Sequence, residues 1–192
     1  MTSSRSLELN LTMIKELRLS KQESVLVKQL SKFYNDNIKY FILLNEIIDG
    51  ENAISRRTFE YFVTKYSDIK KISYKVDNCD FNVYNSYKIQ LKKYHKKYFD
   101  PFGRGERIPF FMNDDCILTT IGQLNFYKWF FTNNIYDYCF TNYESIQREL
   151  LNVKKTSKKK KSVKKPKISS PSYPRIRQEY SDDKPIVVSF DM

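Results

Sequence analysis

The side chains most densely set for chemistry are cations. Between residues 154 and 177 the chain carries eleven Lys or Arg and no acid: Lys154, Lys155, Lys158, Lys159, Lys160, Lys161, Lys164, Lys165, Lys167, Arg175 and Arg177. A run of one sign repels itself and attracts polyanions, so it is expected to bind phosphate backbones by releasing their condensed counterions. No aromatic side chain lies between Lys154 and Ser172. The run therefore offers no stacking platform, and little sequence preference is expected of it. Ser157, Ser162, Ser169, Ser170 and Ser172 lie within it, where phosphorylation would cancel part of the charge. A second set of cations, Lys92, Lys93, Lys96, Lys97, Arg104 and Arg107, is placed to serve as auxiliary phosphate contacts.

Other chemistries are less well supplied. The stretch FDPFGRGERIPFF, residues 99–111, holds two of the four glycines. It lacks the spacing and the Lys-Ser/Thr ending of a P-loop, and the three glycines of a dinucleotide fingerprint. It reads instead as a turn that exposes Arg104 and Arg107. Asp100, Glu106, Asp114 and Asp115 could ligate Mg²⁺ in a nuclease, but they are scattered through turns rather than converging on a point. His95 sits inside the basic run KKYHKKY and reads as a surface histidine, not as the base of a thiol pair. One His and three distant Cys have no zinc-ligand spacing. No catalytic residue, metal or cofactor is expected. Cys79, Cys116 and Cys139 are odd in number and lack CxxC spacing, so no disulfide framework is implied and a reducing setting is expected. The start MTSSRSLELN has no apolar core, and no segment approaches about 18 apolar residues, so membrane insertion is not expected.

These groups need a body to position them. The chain has 192 residues and a formal charge of +12, with 15 Tyr and 14 Phe. Residues 1–153 carry 22 basic and 18 acidic side chains, whereas the last fifteen have a net charge of −3. The expected class is α+β: a helix-rich single domain over residues 1–153 with a short β pair, followed by a disordered, Lys-rich tail over 154–178. Residues 179–192, ending in KPIVVSF and two more residues, are strand-like and suited to fold back on the domain or meet a partner's edge. A helix is favoured over 7–17, and Ser20-Lys-Gln-Glu23 is a capping box that opens another. IKYFILLNEII (38–48) is apolar nearly all round and reads as a buried helix, stopped at Asp49-Gly50. Ser55 caps a helix bearing Phe59, Phe62, Val63 and Tyr66, and ISYKV (72–76) reads as a strand with a turn after it. Tyr84, Tyr87, Leu91, Tyr94 and Tyr98 line one helical face over 82–98, with Asp100-Pro101 as its stop. RIPFFM and CILTT form the β pair, Thr120 caps IGQLNFYKWFF, and YESIQRELL gives a further helix. Gln123 and Asn125 could read adenine edges if their helix entered a major groove, although its apolar periodicity favours a core role.

Three segments carry a resemblance: ISRRTFEYFVTKYS (54–67), FDPFGRGERIPFF (99–111) and TTIGQLNFYKWFFTNNIYDY (119–138). They resemble an uncharacterised basic protein family of giant, nucleocytoplasmic large DNA viruses over roughly residues 50–140, and PIVVSFD (185–191) is similar to that family's terminus. The family's middle motif reads closer to FDPFCRRERI, so Gly103 and Gly105 stand where it has Cys and Arg. The resemblance implies an infected-cell setting, in the virion or a cytoplasmic virus factory, with the host nucleus as a further location. It implies no reaction. The expected function is non-enzymatic nucleic-acid binding, DNA ahead of RNA, with other viral proteins as partners of the folded part. The alternatives are a protein–protein adaptor or minor structural virion protein whose basic tail only localises it, and an enzyme acting on nucleic acid.

Overall fold

In the computed structural model, the backbone of residues 2–113 and 115–162 and the side chains of residues 5–113 and 115–153 are described. Helix α1 (Thr2–Glu16), α2 (Lys21–Asp36) and α3 (Ile38–Asp49) lead into α4 (Arg56–Tyr61), which runs through one π-turn (Phe62–Tyr66) into the short α5 (Ser67–Ile69). A hairpin of β1 (Ser73–Val76) and β2 (Cys79–Asn82) precedes α6 (Val83–Tyr98). A second hairpin, β3 (Arg107–Met112) and β4 (Asp115–Thr120), precedes α7 (Ile121–Thr132), α8 (Ile135–Thr141) and α9 (Tyr143–Ser162). The chain is thus α+β and helix-rich, and the β pair expected over RIPFFM and CILTT is present.

Helix α7 sits at the centre because its sequence is apolar on every face. All residues from Ile121 to Phe131 are buried except Lys128, and α2, α3, α6, α8 and β4 pack around it. Aromatic rings fill the contacts: Phe99 meets Trp129 edge-on at 5.4 Å between centroids, and Phe59 meets Phe130 at 4.9 Å. Such pairs add about 0.5–1.5 kcal/mol each beyond burial. Helix α3 is less enclosed than its composition suggested, for Ile38 and Ile42 are 41% and 53% exposed while Phe41, Leu44 and Ile47 face the core.

Local signals set most of the boundaries. Ser20 and Glu23 close a reciprocal capping box, with Ser20 N donating to Glu23 Oε2 at 3.0 Å and Glu23 N to Ser20 Oγ at 3.3 Å. Ser55 and Thr120 cap α4 and α7 in the same manner. The strand expected at 72–76 is paired, across a turn at Asp77-Asn78, with a second one, β2, over residues for which no strand was expected. Helix α6 is not continuous: His95 has φ 54° and ψ 173°, a backbone geometry that belongs almost exclusively to glycine. Helix α9 crosses the boundary expected at residue 153, its backbone being helical to Ser162, and residues 163–192 lie outside the described residues.

The edges of the β3–β4 hairpin are treated differently. Phe111 turns its peptide groups away from β4: its N–H donates to Asn10 Oδ1 at 3.0 Å and its carbonyl accepts from Asn10 Nδ2 at 2.8 Å. The Ser6 hydroxyl accepts from Asn113 N at 2.7 Å. Helix α1 thereby covers the outer edge of β3. Because Phe111 faces outward, its partner Cys116 does too, and so does Leu118 opposite Pro109, since pairing in an antiparallel ladder alternates.

Candidate nucleic-acid interface

The loop from Phe99 to Glu106 is built as a fixed turn. Asp100 accepts from Arg104 Nη2 at 2.7 Å, Arg104 Nε at 3.1 Å and Arg104 N at 3.2 Å. Burial pushes the Asp100 carboxyl upward, but these bonds outweigh it and hold the group below the usual aspartate value. Gln123 donates to Pro101 O at 3.2 Å and accepts from Thr119 Oγ1 at 3.0 Å, while Asn125 donates to Tyr98 O at 2.9 Å. Both amides are thus turned into the protein as ties between α7 and the loop. They are not presented to a groove. Gly103 (φ +62°) leaves room for one of these ties: a Cβ there would lie 2.5 Å from Gln123 Oε1. Arg104 is committed to Asp100 and lies over the Phe102 ring at 5.3 Å, so its phosphate-contact role would compete with an internal pair.

The α6 cations divide in two. Lys92, Lys93 and Lys96 are exposed and form no ion pair among the described residues. Lys97 is paired: its Nζ lies 2.9 Å from Glu23 Oε1, and Tyr98 donates to the same oxygen at 2.9 Å. Bonds from Ser20, then Lys97, hold the Glu23 carboxyl down at about 2. Lys128 joins the free group. Its ammonium lies 5.4 Å from the Phe33 ring centroid, and burial followed by the charge of Lys93 depresses its pKa. An anion bridging Lys93 and Lys128 would relieve that repulsion. The kink at His95 separates the free Lys92 and Lys93 from the paired Lys97.

Arg107 stands apart from these lysines. It lines a cleft of about 470 Å³ together with Arg56, Asp49, Asp115, Leu118 and Gln123. Arg56 was not singled out from sequence; only the fold brings this first residue of α4 to the same cleft as residues of β3 and β4. Among the nuclease candidates, Asp100 is held by Arg104, Glu106 is exposed, Asp115 lies in this cleft, and Asp114 is outside the described residues. No group of three His, Cys, Asp or Glu among the described residues is placed to hold a metal ion. His95, Cys79 and Cys116 are exposed, and burial raises the Cys139 thiol. No helix among the described residues is long and apolar enough to cross a membrane.

Lys154, Lys155, Lys158, Lys159, Lys160 and Lys161 lie on the backbone of α9, with their side chains outside the described residues, as are Lys164, Lys165, Lys167, Arg175 and Arg177 entirely. Over 192 aligned residues the chain is 32% identical to an uncharacterized protein of Acanthamoeba polyphaga mimivirus, covering 95% of this chain and 73% of that protein. No solved structure matches it. Residues 5–192 match a family of unknown function, DUF7197.

Proposed function

The chain belongs to DUF7197, and from that premise we propose a non-enzymatic viral protein that binds nucleic acid through residues 154–177. One observation carries the reading: eleven cations and no acid within that segment. With about six to eight of them on phosphates, counterion release alone gives a log–log salt slope near −5 to −7. The body is the mount, and Lys92, Lys93, Lys96 and Lys128 are its unpaired auxiliary contacts. Lys97 and Arg104 join them only at the cost of an internal pair. DNA is the preferred polymer, and the setting is a cytoplasmic virus factory or the virion. Converting Lys158, Lys159, Lys160 and Lys161 to Gln in the full chain tests this. Gel retardation of duplex DNA at moderate salt should weaken at least tenfold, whereas unchanged retardation would refute the assignment.

A second reading, a protein–protein adaptor or minor structural virion protein, is favoured by the uncovered edge of β4. It predicts poor DNA retention and a stable complex with another viral protein in a pull-down from infected cells.

A further inference from the structure

Two neighbouring strands meet opposite fates. The outer edge of β3 is closed by the Asn10 amide, which takes both peptide groups of Phe111. Pro109, the other outward residue at its centre, has no N–H to offer. On β4 the outward residues are Cys116 and Leu118, and their N–H and C=O groups have no partner among the described residues. Leu118 is 55% exposed. Four consecutive residues, Asp115 to Leu118, form one wall of the 470 Å³ cleft, with α3 and Arg56 opposite. An unpaired edge invites another strand, and here the space beside it is already walled.

We propose that the β4 edge is a docking site for an extended peptide added as a third strand, and that its occupant is residues 185–191 of this same chain. Three features select that segment. PIVVSFD combines β-branched and aromatic residues with alternation, so that Ile186, Val188 and Phe190 fall on one face of a strand. Arg56 and Arg107 line the cleft together with Asp49 and Asp115, form no ion pair among the described residues, and are placed to take up Asp191 of the segment. The reach is ample: residue 185 follows Ser162 by 23 positions, an extended span of about 75 Å, against a radius of gyration near 15 Å for a body of about 150 residues. Tethering also sets a high effective concentration, so modest strand affinity suffices. The docked strand would take its main-chain bonds from Cys116 and Leu118 and set its acidic end near the arginines. The inference is independent of the nucleic-acid reading, since it uses none of the cations of 154–177.

Amide hydrogen exchange on the full chain tests it. The outward amides of Cys116 and Leu118 should exchange at least tenfold more slowly in the native chain than in a Val187→Pro, Val188→Pro variant. Two adjacent prolines remove a donor in either register. The amide of Ile117, which faces Phe110 on β3, should not change and reports that the hairpin is intact. A synthetic peptide of residues 184–192 added to the variant should restore the protection. Equal rates at Cys116 and Leu118 in both proteins would overturn the proposal. Protection that survives the prolines and grows with protein concentration would overturn it in favour of a second copy's β4.

Discussion

Gly122 offers a sharp test of how the loop is held, because helix propensity and packing make opposite forecasts. Gly122 lies in the first turn of α7, where replacing Gly by Ala in an open helix adds about 0.5–1 kcal/mol of stability. The structure forbids that gain. An added Cβ would lie 2.9 Å from Lys97 O, 3.3 Å from Phe99 N and 3.4 Å from Asp100 N. All three are main-chain atoms, so no side chain can swing aside. Relief requires α6 and α7 to separate, which stretches the bond from Asp100 N to Gly122 O (3.2 Å) and that from Asn125 to Tyr98 O (2.9 Å). Overpacking of this kind costs about 1–3 kcal/mol. With mid-range values of about 2 kcal/mol for the overpacking and about 0.75 kcal/mol for the propensity gain, Gly122→Ala should destabilise by about 1 kcal/mol, and at roughly 2–4 °C per kcal/mol for a chain of this size Tm should fall about 2–5 °C. Thermal melts by circular dichroism read this directly. Gly105→Ala is the control: its Cβ would meet only Lys97 O at 3.9 Å, and its effect should stay within about 0.5 kcal/mol. A Gly122→Ala protein as stable as the native one, or more so, would refute the close approach of the two helices.

Other consequences follow from named contacts. Asn10→Ala leaves both peptide groups of Phe111 without their partner and should cost about 1–3 kcal/mol, with faster amide exchange at Phe111 as its local signature. Glu23 has its pKa lowered to about 2 from 4.5, so its contribution is complete above about pH 4.5 and is lost as pH falls towards 2; Tm measured across that window should drop less steeply in Glu23→Gln than in the native chain. His95 occupies φ 54° and ψ 173°, a conformation costing of the order of 1–3 kcal/mol for a residue with a Cβ. His95→Gly should therefore raise the urea midpoint even though glycine loosens the unfolded chain, and a lowered midpoint would count against the kink.

What the sequence disclosed depended on the range of the interaction concerned. Caps at Ser20, Ser55 and Thr120 were legible because a hydroxyl three residues before its donor is a local pattern. The β3–β4 hairpin was legible through its alternation. β2 was not, because the alternation of Cys-Asp-Phe-Asn covers only four residues, too few to set a strand apart, and it owes its pairing to β1. The break in α6 was hidden too: nothing in KKYHKKY is a helix breaker, and the tie of Tyr98 O to Asn125, 27 residues later, holds the chain beyond it. The same distance effect governs the site. Lys92, Lys93 and Lys96 are exposed as their spacing suggested, but Lys97 and Arg104 have partners that only folding supplies, Glu23 and Asp100. Gln123 and Asn125 had invited a base-reading role; their bonds to Thr119, Pro101 and Tyr98 make them internal struts. Arg56 could be assigned to the cleft only once the fold had brought the start of α4 to the space that β4 lines.

The central claim is that residues 154–177 bind nucleic acid electrostatically, and its most direct measurement is duplex DNA affinity against salt for the native chain and for one lacking those residues. Between 50 and 200 mM salt the native affinity should fall about a thousandfold or more if six or more cations meet phosphates. The shortened chain should bind far more weakly, with a slope no steeper than its few α6 contacts allow. Equal affinities and parallel slopes for the two proteins would contradict the account.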